Sequence, residues 1–290
     1  MPTRRLLLLL ALAVAPLVSS GAVDAAPENT LSFASAGPAR LTEGSRRFAD
    51  SGTTQMRLAH GTTLTYHAGA GLVAGIAFER RRFDVPAGAP IPAQLDSAVL
   101  SLGWRQPIDD RWSWQVEAQP GLYGESLGLG GAAFDLPVSL RLVRASSATL
   151  QWAVGLDYDP RGGHPLVGAL GVRWRFAPRW TLLALPPAPQ VEYEFSPRLT
   201  AFAGIALQRG SYRVGADFGR RHGRPALDDA VVDYRDIVIS AGVRWRPAPR
   251  FEVTASAGWL ADRRFEFTDQ DLLLHGSGAP HVRLSLTHRQ

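Results

Sequence analysis

Apolar and polar residues alternate along most of the chain beyond residue 53. In the run 165–176, Leu170, Val172 and Trp174 share one parity, and Arg173 and Arg175 share the other. The same period of two recurs in the segments 133–145, 148–158, 232–246 and 250–267. Successive side chains of a strand point to opposite faces, so this period predicts an all-β chain, with runs longer than is usual for soluble sheets.

Two kinds of connection join these runs. The segment GVRWRFAPRW at 171–180 recurs as GVRWRPAPRF at 242–251, and each copy places Pro and Arg in a tight turn flanked by aromatic residues. The long connections, rich in Gly, Pro or charge, are expected at 80–94, 121–132, 159–164, 216–231 and 262–280. Short turns at one end and long loops at the other predict an antiparallel up-and-down transmembrane β-barrel.

The number of strands follows less directly from the pattern. Thirteen alternating runs can be counted, whereas single-chain bacterial barrels have an even number. A further strand in 28–41 would give fourteen, and treating the short runs around 183–190 as a turn segment would give twelve. We therefore expect about 12 strands, within a range of 10 to 14.

The first residues predict export. Arg4 and Arg5 precede an apolar segment at 6–15 and then small residues, which is the pattern of a secretory signal peptide, assigned to 1–25. Residues 26–52 are expected to form a periplasmic arm or a first strand, and residues 53–290 the outer-membrane β-barrel. The chain ends in Gln290 rather than an aromatic residue, so the signal that the barrel assembly machinery would recognise is not evident. The expected location is the outer membrane of a Gram-negative bacterium.

Composition narrows the chemistry. The 290 residues contain 31 basic and 26 acidic side chains and no Cys, which excludes disulfides, thiolate metal sites and thiol nucleophiles. The basic balance would suit nucleic acid, but export and barrel patterning exclude that partner. Arginine tracts at 80–82 and 219–224 would lie in outer loops, where lipopolysaccharide phosphates are possible partners alongside other outer-membrane lipids.

The tryptophans lie where a barrel would place an interface girdle. We assign the membrane-interface girdle to Trp104, Trp112, Trp174, Trp180, Trp245 and Trp259. All of these except Trp259 lie close to short turns. Trp259 lies toward the long loops, where a second aromatic belt would include Phe78, Tyr123, Tyr158, Tyr212 and Tyr234.

The opposite parity predicts a polar lumen. Its expected lining comprises Arg105, Arg141, Arg173, Arg175, Arg244, Arg246, Glu117, Asp157 and Glu252. Arginines on the outer face would be costly in hydrocarbon, which favours this inward assignment. The function that this lining predicts is a passive pore or small-solute channel with mild anion preference. A barrel filled by its own side chains, with a non-conducting structural or surface-interaction role, is the alternative.

Catalytic motifs are weak. The G-x-S-x-G match at 124–128 lacks the strand–turn–helix context that a nucleophilic Ser126 would need. The pair His275 and Ser277 resembles that of outer-membrane lipid hydrolases, but 275–280 looks like a loop and no residue that would orient the histidine is evident. We therefore predict no enzyme and no catalytic, metal or cofactor site, with a lipid-modifying enzyme as a remote alternative.

A resemblance to a protein family supports the assignment to outer-membrane β-barrels. The run WTLLALPPAPQVEYEFSPRL at 180–199, followed by FAG at 202–204 and GSYRV at 210–214, resembles a family of uncharacterised outer-membrane β-barrel proteins of Gram-negative bacteria, a domain of unknown function. More distantly, the chain is similar to barrels assigned to aromatic-compound transport. The resemblance implies an outer-membrane location and supplies no catalytic residues.

Overall fold

A computed structural model gives the fold. It describes residues 28–67 and 70–290, without the side chains of residues 63–67 and 277. The expected signal peptide at 1–25 lies outside these residues. Within them, no helix is long and apolar enough to cross a membrane.

Strands make up most of the described chain, as the alternation predicts. The first half contains β1 (Glu28–Glu43), β2 (Arg46–Arg47), β3 (Ser51–His67), β4 (Ala70–Phe83), β5 (Gln94–Pro107), β6 (Trp112–Ala118), β7 (Gly121–Gly124), β8 (Phe134–Asp135) and β9 (Val138–Ala145). The second half contains β10 (Leu150–Tyr158), β11 (Leu166–Ala177), β12 (Trp180–Ala184), β13 (Gln190–Ser196), β14 (Leu199–Arg213), β15 (Val231–Ala248), β16 (Phe251–Phe267), β17 (Leu272–Ser277) and β18 (Ala279–Arg289). The helical elements are α1 (Phe218–Arg221) and 3-10 turns at Leu127–Ala133, Pro225–Leu227 and Thr268–Gln270.

The described strands form one closed antiparallel wall of fourteen strands. Four wall strands are interrupted and consist of β2 with β3, β6 with β7, β8 with β9, and β17 with β18. Closure comes from β1, which pairs with β3 on one side and with β18 on the other. The estimate of about 12 strands was two short, because the segment 28–41 is a wall strand and the short runs around 183–190 form a real hairpin, β12–β13.

The wall has two distinct ends. Short turns at 108–111, 146–149, 178–179, 197–198 and 249–250 define what we call the turn end. The opposite end, which we call the loop end, has long connections at 84–93 and 214–230. The expected long loop at 262–280 is wrong, because β16 continues to Phe267 and β17 begins at Leu272.

An apolar band surrounds the outer face between these ends. On β15 the outward side chains run from Trp245, which is 51% exposed, through Val243 and Ile239 toward Arg235. Trp245 to Ile237 spans about 20 to 27 Å depending on strand tilt. Charged side chains of the same outward parity end this band toward the loop end, namely Arg80, Asp96, Arg209, Arg235, Asp262 and Arg264. The wall therefore continues beyond its own apolar band at the loop end.

At one place, which we call the seam, hydrogen bonds between strands close the wall only in its turn half. The β12–β13 hairpin turns back at 185–189, and β11 pairs with β12 only up to Val172. Beyond that point the β10–β11 hairpin lies over the outer face of β14 and β15. Asp157, of lumen parity, contacts the outward Arg209 at 3.5 Å, and the Ser211 hydroxyl donates to Asp159 at 2.8 Å. The two edges thus overlap instead of pairing.

The wall also bends inward where two adjacent strands are interrupted. The breaks fall at Pro120, between β6 and β7, and at Pro137, between β8 and β9, because proline has no N–H to donate to a ladder. Above the break, β7 reaches β14 through a parallel bridge between Gly124 and Arg213. The loop end is narrower than the turn end as a result.

Candidate functional site

The turn half of the barrel encloses a polar space, which we call the vestibule. Its side chains have the parity opposite to the exposed apolar band and belong to β5, β6, β9, β11, β13, β15 and β16. They include Arg105, Gln115, Glu117, Arg141, Arg173, Arg175, Glu192, Arg244, Arg246 and Glu252. Val73, which faces the same space, is 42% exposed, so this half of the lumen is accessible.

One side of the vestibule is neutralised by ion pairs. Glu252 lies 3.4 Å from Arg244 and 2.8 Å from Arg246, and Arg289 approaches it at 3.7 Å. Arg244 also contacts Glu192 at 3.0 Å. The neighbouring carboxylates therefore compensate much of the positive charge of these arginines.

The other side keeps a positive excess. Among the described residues, Arg105, Arg173 and Arg175 have no carboxylate within 4 Å, and their side chains are partly or fully exposed. Glu117 is the nearby acidic residue of the predicted lining, and it accepts a hydrogen bond from Gln119 at 2.7 Å. A dissolved anion would therefore meet positive charge here that fewer carboxylates compensate than beside Glu252.

Buried charges cross the middle of the lumen in what we call the central ion network. Arg263 is 1% exposed and donates two hydrogen bonds to Asp236, at 2.9 and 2.8 Å, and a third to Thr53. Beside it, Glu79 lies 2.6 Å from Arg81 and 3.3 Å from Arg57. The network joins β3, β4, β15 and β16 and narrows the lumen above the vestibule.

Aromatic side chains fill the loop end and form the loop-end core. Phe83, Tyr234 and Phe265 lie with ring centroids 5.1 to 5.5 Å apart, and each is at most 6% exposed. Phe218 of α1 stacks on Phe267 at 5.9 Å. Burial on this scale closes the loop end to solutes in this conformation.

The loop 215–229, which we call the cap, seals this core from above. It contributes the buried Phe218 and Leu227, and its Arg224 pairs with Glu43 at 2.7 Å. That hydrogen-bonded carboxylate raises the pKa of Arg224. Arg221 of the cap is 3.0 Å from Glu125. The cap is thus fixed to β1 and to the loop that follows β7.

The structure distributes the predicted site residues unevenly. Eight of the nine lining residues share the vestibule face, whereas Asp157 lies buried at the seam against Arg209. The six girdle tryptophans lie on the outward parity, with Trp104, Trp174, Trp180, Trp245 and Trp259 between 37% and 51% exposed. The central ion network was not predicted, although charges at both Glu79 and Arg81, on the lumen parity of one strand, are a signal for it.

The second aromatic belt is largely wrong. Tyr212 and Tyr234 are 5% and 1% exposed and belong to the loop-end core, where Tyr123 also packs. Tyr158 alone of the tyrosines in that set is exposed, at 46%. The wall extends beyond the apolar band, so inward aromatic residues there fill the protein interior.

The structure also shows the surroundings of the two motif residues, Ser126 and His275. Ser126 begins the 3-10 turn at Leu127–Ala133 and accepts a hydrogen bond from the Gly128 N–H at 3.2 Å. His275 lies on β17, not in a loop, and its Nε2 is 2.5 Å from Asp262. The expectation that His275 has no orienting residue was therefore wrong.

Comparison with solved structures identifies the architecture. An outer-membrane channel from Pseudomonas putida F1 superposes with a TM-score of 0.52 at 10% identity, over 95% of this chain and 99% of that one. The chain therefore shares the β-barrel fold of this channel. The monoaromatic hydrocarbon channel CymD gives a TM-score of 0.49 at 8% identity, over 92% of this chain and 89% of that one, and the NanC porin gives 0.43 at 11%, over 91% and 100%. No protein-family model and no curated protein matches the sequence.

Proposed function

We propose that this chain is exported by residues 1–25 and inserted in the outer membrane of a Gram-negative bacterium by the barrel assembly machinery, with the turn end in the periplasm. There it acts as a passive channel for small solutes with mild anion preference. The observation that carries this proposal is the accessible vestibule with the uncompensated Arg105, Arg173 and Arg175. The channel-type fold and the apolar band support it.

The experiment is single-channel recording of the refolded mature chain in planar bilayers, with the reversal potential measured in a salt gradient. We expect discrete conductance steps and a reversal potential biased toward the anion. The loop-end core keeps most channels closed at rest, so openings should be brief and infrequent. A folded, heat-modifiable barrel that never conducts would refute the channel and support the alternative below.

The vestibule arginines make a sharper prediction. Replacing Arg105, Arg173 and Arg175 by Gln should reduce the anion-over-cation permeability ratio by about two- to fivefold, since each screened charge at a wet wall contributes about 0.1 to 0.3 kcal/mol. The readout is the reversal potential in the same salt gradient.

A matched control lies across the vestibule. Arg246→Gln removes an arginine already paired with Glu252 at 2.8 Å, and the ratio should change less than in the triple variant. An unchanged ratio in the triple variant would show that the uncompensated arginines do not select the ion.

A non-conducting structural or surface-interaction barrel is the second candidate, and the packed loop-end core favours it. Contact with lipopolysaccharide is part of either proposal. Within the two arginine tracts, Arg80, Arg221 and Arg224 pair with the chain's own carboxylates, whereas Arg82 is exposed. Phosphate contact would therefore depend on Arg82 more than on the tracts as a whole.

One observation favours the remote alternative, a lipid-modifying enzyme. It is the contact between His275 and Asp262. Ser277 follows two residues along β17, and with Nε2 facing the carboxylate only Nδ1 is left to serve as its general base. Asp262 is also held by Arg235 at 2.8 Å and by Arg264 at 3.1 Å. This arrangement supports an ion cluster at the border of the apolar band better than it supports a catalytic triad.

A further inference from the structure

A groove of about 780 Å³ crosses the outer face of five neighbouring strands, β18, β1, β3, β4 and β5, and ends at Pro120. We call it the outer groove. Its walls are almost entirely apolar, and the main contributors are Leu31, Leu58, Ile76, Phe78, Leu100 and Leu286. Its volume is within the range of small-molecule sites, which is unusual for the convex outside of a barrel.

The outer groove faces away from the lumen. Leu58 pairs with Phe78, and Ile76 pairs with Leu100, all on the parity of the exposed apolar band. Ile76 is 61% exposed and Leu58 is 45% exposed. The groove is therefore continuous with the lipid-facing surface that the proposed function places in the membrane, and its occupant must be a membrane lipid.

The inward bend of the wall accounts for the concavity. The Leu100 N–H bonds the Pro120 carbonyl at 2.9 Å, just where β6 stops, and β7 continues toward the lumen to meet β14. The lumen-facing residues behind the groove, Ala59 and Ala77, are small and let the wall approach the barrel axis. A depression on the outer face results.

Polar groups stand at one end only. Asn29 and His60 are joined by a 2.9 Å hydrogen bond between Oδ1 and Nδ1, and His288 lies beside them. Asn29 and His288 lie near the start of β1 and the end of β18, at the turn end of the wall, and His60 of β3 pairs with Asn29. From there the groove follows the hydrogen-bonding direction across the strands toward Pro120.

We propose that the outer groove binds one acyl chain of a glycerophospholipid from the periplasmic leaflet, with the headgroup beside His60 and His288. The chain lies across the strands in the depression, whose concave floor contacts more of its surface than the convex wall that an ordinary boundary lipid touches. The imidazole and amide groups offer hydrogen bonds to the glycerol esters and phosphate. The inference depends on the proposed insertion in the outer membrane, and it holds whether or not the barrel conducts.

The test fills the groove. Ala98 lies on its floor, opposite Phe78, so Ala98→Phe and, independently, Leu58→Trp should occupy the space of the chain. The control is Ala255→Phe, at an exposed outward position of β16 that is outside the groove. Each barrel is inserted in vesicles of phosphatidylethanolamine and phosphatidylglycerol, extracted in detergent, and weighed by native mass spectrometry.

We expect one retained phospholipid on the parent and the Ala255→Phe barrel, and about tenfold less occupancy in both filled variants. Equal retention in filled and control variants, or none on the parent, would overturn the proposal. Heat modifiability shows that each variant is folded. If the parent fails to insert in vesicles at all, the proposed membrane placement fails instead, which separates the two outcomes.

Discussion

Replacing the cap, residues 215–229, by a short Gly-Ser linker is expected to open the loop end and to raise unitary conductance at least about twofold, because it removes Phe218 and Leu227 from the loop-end core. The linker is compatible with the wall, since the Val214 N–H already bonds the Ala230 carbonyl at 3.0 Å across the base of the cap. Single-channel recording measures the change.

The control leaves the cap in place. Arg220→Gln changes a cap side chain that is 64% exposed and outside the loop-end core, and its conductance should match the parent. If the shortened barrel instead conducts like the parent, the constriction lies lower, in the central ion network. If the shortened barrel never conducts, the result favours the structural role over the channel.

The alternation of apolar and polar residues predicted most of the wall, but it left open whether residues 26–52 form a periplasmic arm or a first strand. In β1 the lumen-parity residues are Ala34, Ala36 and Ala39, which are 9% exposed or less. Because small side chains fill the lumen face of this strand, its sequence shows almost no alternation of large apolar and polar residues. Its segment also contains Gly37 and Pro38, where the register with β3 shifts.

Which residues share a face of a strand could be predicted, because parity alone decides it. The ion pairs could not, because they depend on which strands meet across the lumen. Arg263 bonds Thr53 across 210 residues, and Asp157 meets Arg209 only because the seam edges overlap. Local sequence contains no information on shear or on where a wall folds over itself.

Arg263→Met should lower the free energy of unfolding by about 3–5 kcal/mol, because it leaves the buried Asp236 carboxylate without its charged partner. Arg263 supplies both of the hydrogen bonds, at 2.9 and 2.8 Å, from a position that is 1% exposed. Urea titration of vesicle-inserted barrel, followed by tryptophan fluorescence, gives the value.

Two further variants separate a buried charge from a general loss of packing. The double variant Arg263→Met with Asp236→Leu removes both charges, and most of the lost stability should return. Arg246→Met breaks the half-exposed pair with Glu252 in the vestibule and should cost about 0–1 kcal/mol. A double variant as unstable as the single one would mean that Arg263 acts by filling space between Phe83 and Thr53, and the central ion network would then be a packing feature of the closed lumen rather than an electrostatic one.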